Sequence, residues 1–236
     1  MSIPLNQQPI EKPTRRHDGE LAVHHMWLTI QGEGPFVGTP AVFVRLAGCN
    51  LACPACDTDY TSRRELLPVP EIVSRILSLW TTQRCVLPLV VLTGGEPLRQ
   101  NITPLVNSLL ACRIQVQVET NGTLFLPDLP YHDPRFMVVC SPKAGINPQL
   151  RERVGAWKYV VTDGEVDPID GLPLSALGNT AQPGKPGPLN MAPIYIQPRD
   201  DADEKANKRH LQAALTSCFT FGYRLCLQTH KIIGLE

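Results

Sequence analysis

The sequence predicts an α/β protein folded as a partial βα barrel of about six parallel strands. Short β-branched runs recur along it, several apolar throughout, as suits strands covered on both faces. Helical spacing separates some of these runs. Glycines or polar side chains directly follow five of them, where α/β folds gather their chemistry.

Residues 1–20 are polar, contain prolines and read as a flexible N-terminal tail, and residues 21–236 as a single domain. The first strand is expected over residues 41–46, followed by Gly48-Cys49-Asn50, and the next over 89–92, followed by Thr93-Gly94-Gly95-Glu96-Pro97. Residues 114–118 lead into Glu119-Thr120-Asn121-Gly122, and 136–139 into Ser141-Pro142-Lys143. Later strands are expected over 157–161, over 193–197 ahead of Pro198-Arg199-Asp200, and over 223–227. Helices are expected over 70–77, where Pro70 suits a first turn, over 102–110 and over 203–218. The crossover 141–156 is too short for a full helix, and a complete eightfold barrel takes about 250 residues. The barrel is therefore expected to be incomplete. Residues 163–192, with Gln182-Pro183-Gly184-Lys185-Pro186-Gly187-Pro188, read as a long Pro/Gly-rich insertion.

Lys+Arg 22 balance Asp+Glu 22, so the basic excess of a nucleic-acid surface is missing and no nucleic acid is expected as partner. No apolar run approaches the roughly 18 residues of a membrane span, so no membrane is expected either. The N-terminus lacks a secretory apolar core. Cytoplasm is the expected location, and the eight cysteines are expected as reduced thiols.

The stretch "GCNLACPACDTDYT" places Cys49, Cys53 and Cys56 within eight residues. Structural zinc wants four nitrogen or sulfur ligands, usually as two separated pairs, and no further His or Cys follows within about twenty residues. Cys85, Cys112, Cys140, Cys218 and Cys226 are scattered singly and read as buried free thiols. A cubane iron–sulfur cluster suits three thiolates better, since one iron stays open to another ligand. A non-catalytic zinc or iron–sulfur module remains the alternative.

The C-x3-C-x2-C spacing resembles the signature of the radical S-adenosylmethionine superfamily, and Thr93-Gly94-Gly95-Glu96-Pro97 resembles its "GGEP" motif. "TIQGEGPFVGTPAVFVRLAGCN", "CDTDYT" and "LQTHKIIGLE" are similar, beyond that, to the 7-carboxy-7-deazaguanine synthase family, from about Met26 to the C-terminus. The resemblance implies a radical S-adenosylmethionine core in an abridged barrel. It implies a carbon–nitrogen lyase that contracts 6-carboxy-5,6,7,8-tetrahydropterin to 7-carboxy-7-deazaguanine with loss of ammonia, on the route to queuosine. A 4Fe-4S cluster, S-adenosyl-L-methionine and Mg2+ are implied as cofactors, a homodimer as the assembly, and flavodoxin or ferredoxin as electron donor. An activase acting on a protein partner would share the cysteines and the Gly-Gly-Glu-Pro turn, but would not need the other stretches.

By matching position, the resemblance implies Cys49, Cys53 and Cys56 as cluster ligands and Thr58 as the magnesium ligand. It implies Ala55, Cys56, Asp57, Gly95, Ser141, Pro142, Lys143, Gln197, Pro198, Arg199 and Asp200 as S-adenosylmethionine contacts. Ile30, Gln31, Gly32, Arg45 and Thr93 match substrate positions. Glu33, His230 and the terminal carboxylate of Glu236 are further substrate candidates, although many family members end in proline. Glu119 and Asn121 are candidates for the adenosyl ribose. No catalytic group is implied beyond these ligands.

The roles make physical sense. Arg45 offers a planar fork to a carboxylate, and Gln31 donates and accepts at once, as a pterin edge does. Thr58 gives a hard neutral oxygen to an ion that takes few protein ligands. Plainer roles exist beside these: a surface ion pair for Arg45, a turn cap for Thr58, a loop brace for Glu33, and a turn former for Asn121.

Overall fold

The computed structural model describes residues 5–14, 19–81 and 89–235, and for Thr81 the backbone alone. Cys85, Glu236 and residues 1–4 and 15–18 of the expected tail lie outside the described residues.

Among the described residues nine strands form one open sheet, in the order β3-β1-β2-β4-β5-β6-β7-β8-β9. Strand β1 (Glu20–Ile30) pairs antiparallel with both β2 (Pro40–Leu46) and β3 (Glu65–Pro68). From β2 onward every pairing is parallel: β4 (Leu89–Gly94), β5 (Gln115–Thr120), β6 (Phe136–Cys140), β7 (Ala156–Val161), β8 (Ile194–Pro198) and the two-residue β9 (Arg224–Leu225). The expected parallel strands are present, and the sheet is a partial barrel. The sequence reading passed over β1 and β3.

Successive side chains of a strand point to opposite faces, and that period sorts this sheet. Val42, Val44, Val90, Leu92, Val116 and Val118 belong to the main core, together with Trp157 and Tyr159. Helix α1 (Val69–Thr81) and helix α2 (Thr103–Ala111) cover that face, α1 with Ile72, Ile76 and Trp80 and α2 with Leu105, Val106 and Leu109. Fully burying each such side chain contributes about 1.5–3 kcal/mol. The alternate positions have a different character. Small apolar clusters, Ala41 with Leu89 and Val91, and Val139 with Ala156 and Tyr195, lie on the opposite face. Toward the C-terminal ends that face turns polar, with Arg45, Thr93, Glu119 and Lys158.

Between β6 and β7 the chain makes only the four-residue helix α3 (Pro148–Arg151), as the short crossover predicted. Helix α4 (Glu204–Phe221) starts at Asp203, whose carboxylate accepts from the Ala206 N–H at 2.7 Å. Helix α5 (Thr229–Ile232) follows β9.

Residues 163–192 carry no helix or strand, only a bridge between Val166 and Pro173. They are nonetheless packed: Leu172 and Ala176 are buried, and the Tyr159 hydroxyl donates to the Gly184 carbonyl at 2.8 Å. Residues 5–14 differ from the loose tail expected of them. Ile10 bridges to Cys49, and the Thr14 N–H donates to the Arg99 carbonyl at 2.8 Å. Composition alone could not show these fixed partners.

Candidate active site

A cavity of about 470 Å³ opens on the polar face of the sheet. Trp27 of β1 and Gln197 of β8 both line it, so the open sheet curls until its two sides share one hollow.

Cys49, Cys53 and Cys56 all line the cavity. They sit on the loop after β2, and all are free thiols. Burial pushes the Cys49 thiol up to about 12 and raises Cys56 as well. Thiols so placed become ligands only when a metal compensates the buried negative charge. Among the described residues no three His, Cys, Asp or Glu side chains converge as a single ion requires. Zinc needs such convergence, with sulfurs about 2.3 Å from one centre. A cube takes one sulfur at each of three separate corners, a ligand count that the three cysteines lining the cavity match.

The Gly-Gly-Glu-Pro turn ends β4 against this loop. A Cβ on Gly95 would lie 2.4 Å from the Gly48 carbonyl oxygen and 2.7 Å from Cys49 Cβ. Close approach of two backbones thus demands glycine here. Gly95→Ala is expected to displace the cysteine loop and lower turnover on the order of a hundredfold. Iron bound per chain after anaerobic loading should fall with it, and wild-type iron content would contradict this packing. Glu96, fully buried, accepts from the N–H groups of Leu98 (2.9 Å) and Asn121 (2.7 Å) and from the Thr120 hydroxyl (2.8 Å). Burial pushes its carboxyl up to about 7, against the pull of those donors. It joins the ends of β4 and β5.

Of the S-adenosylmethionine candidates, Ala55, Asp57, Gly95, Ser141 and Lys143 line the cavity. Gln197, Arg199 and Asp200 line it as well, whereas Pro142 and Pro198 are not among the lining residues. Burial lowers the Lys143 ammonium, whose Nζ donates to the Ser141 carbonyl at 3.0 Å. Asp200 accepts from the Ala202 N–H (3.0 Å), Lys231 Nζ (3.0 Å) and Asn207 Nδ2 (2.8 Å), and these donors hold its carboxyl at about 2. Thr58, half-buried, lines the cavity with its hydroxyl 3.3 Å from Asp57 Oδ1.

The substrate candidates Ile30, Gln31, Arg45 and Thr93 line the same hollow. Gln31 Nε2 (3.2 Å), Thr93 Oγ1 (3.1 Å) and Gln117 Nε2 (2.9 Å) all donate to the Glu119 carboxylate. Geometry therefore groups Glu119 with the substrate candidates. Asn121 is engaged differently: its Nδ2 donates to Asn50 at 3.0 Å, and its Oδ1 accepts from the Thr123 N–H at 2.9 Å. It lines the cavity as well, and it braces the turn behind Cys49.

Arg45 Cζ lies 4.8 Å from the Trp27 ring centroid, and its buried Nε has no hydrogen-bond partner. Trp27 in turn packs on Phe43 with centroids 5.2 Å apart. The fork is thus held by an aromatic face and keeps donor capacity for a ligand.

Glu33 pairs with Lys158 and accepts from Gln228 Nε2 at 2.8 Å. Burial would raise its carboxyl, but the Lys158 ammonium reverses this and holds it at about 2. Against the cost of its own burial, Lys158 is raised by Glu33 and Glu119. Gly32 lies outside the lining, where a Cβ would meet His230 Nδ1 at 2.0 Å and the His230 backbone nitrogen at 2.9 Å. Its carbonyl accepts from the Thr229 N–H at 3.1 Å, so glycine lets α5 dock here and brings His230 to the cavity.

The sequence reading missed Trp27, Phe43 and Lys158. Recognising β1 would have found the first, because Trp27 and Phe43 are direct cross-strand partners. A lysine inside the apolar run Ala156–Val161 was the available signal for the third.

No family model matches the chain. It is 48% identical to the 7-carboxy-7-deazaguanine synthase of Rhodospirillum rubrum, across 92% of this chain and 94% of that protein. Identity to the 7-carboxy-7-deazaguanine synthase of Rickettsia prowazekii is 36%, across 92% of this chain and 89% of that one. The crystal structure of QueE from Escherichia coli matches the fold with a TM-score of 0.66 at 24% identity, across 88% of this chain and 93% of that chain.

Proposed function

The chain belongs to the 7-carboxy-7-deazaguanine synthase family, and on that premise we propose that its cavity takes 6-carboxy-5,6,7,8-tetrahydropterin, contracts the ring and releases ammonia. As a member it is a radical S-adenosylmethionine enzyme with a 4Fe-4S cluster. One observation carries the substrate reading: three cysteine sulfurs and the Arg45–Gln31–Thr93–Glu119 group share one hollow of about 470 Å³.

Cys49, Cys53 and Cys56 would hold the cluster. Gly95, Ser141, Lys143, Gln197, Arg199 and Asp200 would hold S-adenosylmethionine beside it. Together, when bound, these two cofactors supply one-electron cleavage of a C–S bond and so a radical able to take hydrogen from the substrate. The chain's own residues bind and orient. Arg45 pairs with the substrate carboxylate through its fork. Glu119, held by three donors, accepts from N–H groups on the pterin edge, and Gln31 and Thr93 fix that carboxylate. Thr58 offers its hydroxyl to Mg2+, with water and substrate oxygens completing the octahedron. A flavodoxin or ferredoxin supplies the electron, the working assembly is a homodimer, and the site of action is the cytoplasm. The resemblance supports these last three. Among the described residues no helix is long and apolar enough to cross a membrane.

Reduced, cluster-loaded protein given S-adenosylmethionine, Mg2+ and the carboxypterin should release the deazapurine and ammonia together. No product from a fully loaded sample overturns the substrate reading. Arg45→Ala should raise KM roughly tenfold to a hundredfold, the cost of a lost charged hydrogen bond. Iron content should not change, and a variant that loses its cluster would contradict Arg45's role.

A further inference from the structure

We propose that residues 5–14 form a strap that positions the cysteine loop for its cluster, with Asn6 and Gln8 as positioning residues. This rests on the assignment of a cluster to Cys49, Cys53 and Cys56.

The strap engages the loop's carbonyls in turn. The Glu11 N–H donates to the Cys49 carbonyl at 2.7 Å, and the Asn6 N–H to the Pro54 carbonyl at 2.9 Å. Asn6 Nδ2 donates to the Cys53 carbonyl at 3.2 Å, and Gln8 Nε2 to the Thr58 carbonyl at 2.8 Å. Gln8 Oε1 accepts from the Tyr60 N–H at 2.8 Å and the Thr61 hydroxyl at 3.0 Å, so one side chain spans the segment behind Cys56. Asn6 Oδ1 accepts from the Gln8 N–H at 3.0 Å and fixes the strap's own bend.

Below Glu11 the strap is anchored. Arg99 Nη1 donates to the Lys12 carbonyl at 2.9 Å and Nη2 to the Ala47 carbonyl at 3.0 Å, while Arg99 lies 3.2 Å from the Glu11 carboxylate. The opposite side of the loop is held too, where the Ala55 N–H donates to the Leu177 carbonyl at 3.0 Å.

Carbonyl oxygens are the negative ends of backbone dipoles and repel thiolates that turn toward them. The strap draws off the carbonyls of Cys49, Cys53 and Pro54, and it holds the Thr58 carbonyl where Cys56 Sγ also donates to it at 3.9 Å. It also leaves backbone N–H groups free for sulfur: the Leu51 N–H already points at Cys49 Sγ, 3.4 Å away. Groups that hold metal ligands in this way set metal retention as well as ligand orientation. Neither Asn6 nor Gln8 is among the residues that line the cavity.

The test uses the full chain, loaded anaerobically with iron and sulfide, in wild-type form and as the double variant Asn6→Ala/Gln8→Ala. Iron loss to a chelator should be roughly tenfold faster in the variant, and the electron paramagnetic resonance spectrum of its reduced cluster should broaden. Thermal midpoints of the metal-free chains serve as the control, since a merely structural role moves these and leaves the spectrum alone. Gln8→Glu keeps the acceptor for Tyr60 and Thr61 but loses the donor to the Thr58 carbonyl. It should also release iron faster, and it supplies the answer if the double variant does not fold. Equal release rates with unchanged spectra overturn the strap. A wild-type chain that takes up no cluster overturns the cluster assignment instead.

Discussion

Replacing Cys53 with alanine is expected to abolish turnover and the brown colour of the anaerobically prepared protein together. Cys53 lies between the other two proposed ligands on a loop held from both sides, and its side chain is buried. Without its sulfur one corner of the proposed cube would lose its protein ligand. No described cysteine stands ready to replace it, because Cys112, Cys140, Cys218 and Cys226 do not line the cavity. Turnover should fall to background, since the proposed radical chemistry would need the electron that a bound cluster supplies. The chain itself should stay folded, because truncating one small buried side chain costs about 1 kcal/mol against a typical stability of about 5–15 kcal/mol. Iron and sulfide analysis beside circular dichroism checks both halves. A folded variant with full iron content would contradict the ligand role.

Lys158→Met is expected to cost about 3–5 kcal/mol at neutral pH, the range for removing one partner of a buried ion pair. Methionine roughly fills the lysine's volume, so the loss comes from the Glu33 carboxylate left without its cation. The pH dependence gives this origin away. In the wild-type chain Glu33 is held at about 2, below its ordinary 4.5, so its folded form gains stability from the charged state. That gain is fully present above pH 4.5 and is lost as pH falls toward 2. In the variant, burial pushes the carboxyl up with only Gln228 and His230 left to oppose it, so the charged form loses most of its support. The gap between the two proteins should therefore narrow on acidification. Urea unfolding of metal-free protein at pH 7 and near pH 3 measures it, and an equal gap at both would contradict the ion-pair account. Turnover should fall as well, because Glu33 also receives Gln228 and so helps place the C-terminal segment.

Much of the fold was legible because parallel strands announce themselves. The runs at 41–46, 89–92 and 157–161 are apolar enough to be covered on both faces, and they lie within β2, β4 and β7. Strand β1 was not legible, since "ELAVHHMWLTI" mixes polar and apolar residues as an antiparallel strand beside a cavity must. Strand β3 is four residues long and ends in proline. The cysteine loop and the Gly-Gly-Glu-Pro turn were legible from spacing. What could not be read was why the glycines are there: Gly95 faces the backbone of the cysteine loop, and Gly32 faces α5, contacts formed far apart in sequence. Lys158 and the strap at 5–14 escaped for the same reason. A single buried cation and a polar segment acquire meaning only from partners such as Glu33 and the carbonyls of Cys49 and Cys53.

Electron paramagnetic resonance of the dithionite-reduced protein, recorded before and after addition of S-adenosylmethionine, reaches the central claim most directly. An iron–sulfur signal that shifts on addition of the sulfonium compound is the predicted result, because on the proposed reading S-adenosylmethionine would bind beside a cluster that Cys49, Cys53 and Cys56 would hold. A signal that S-adenosylmethionine leaves unchanged, or a colourless protein holding zinc on those sulfurs, would contradict it.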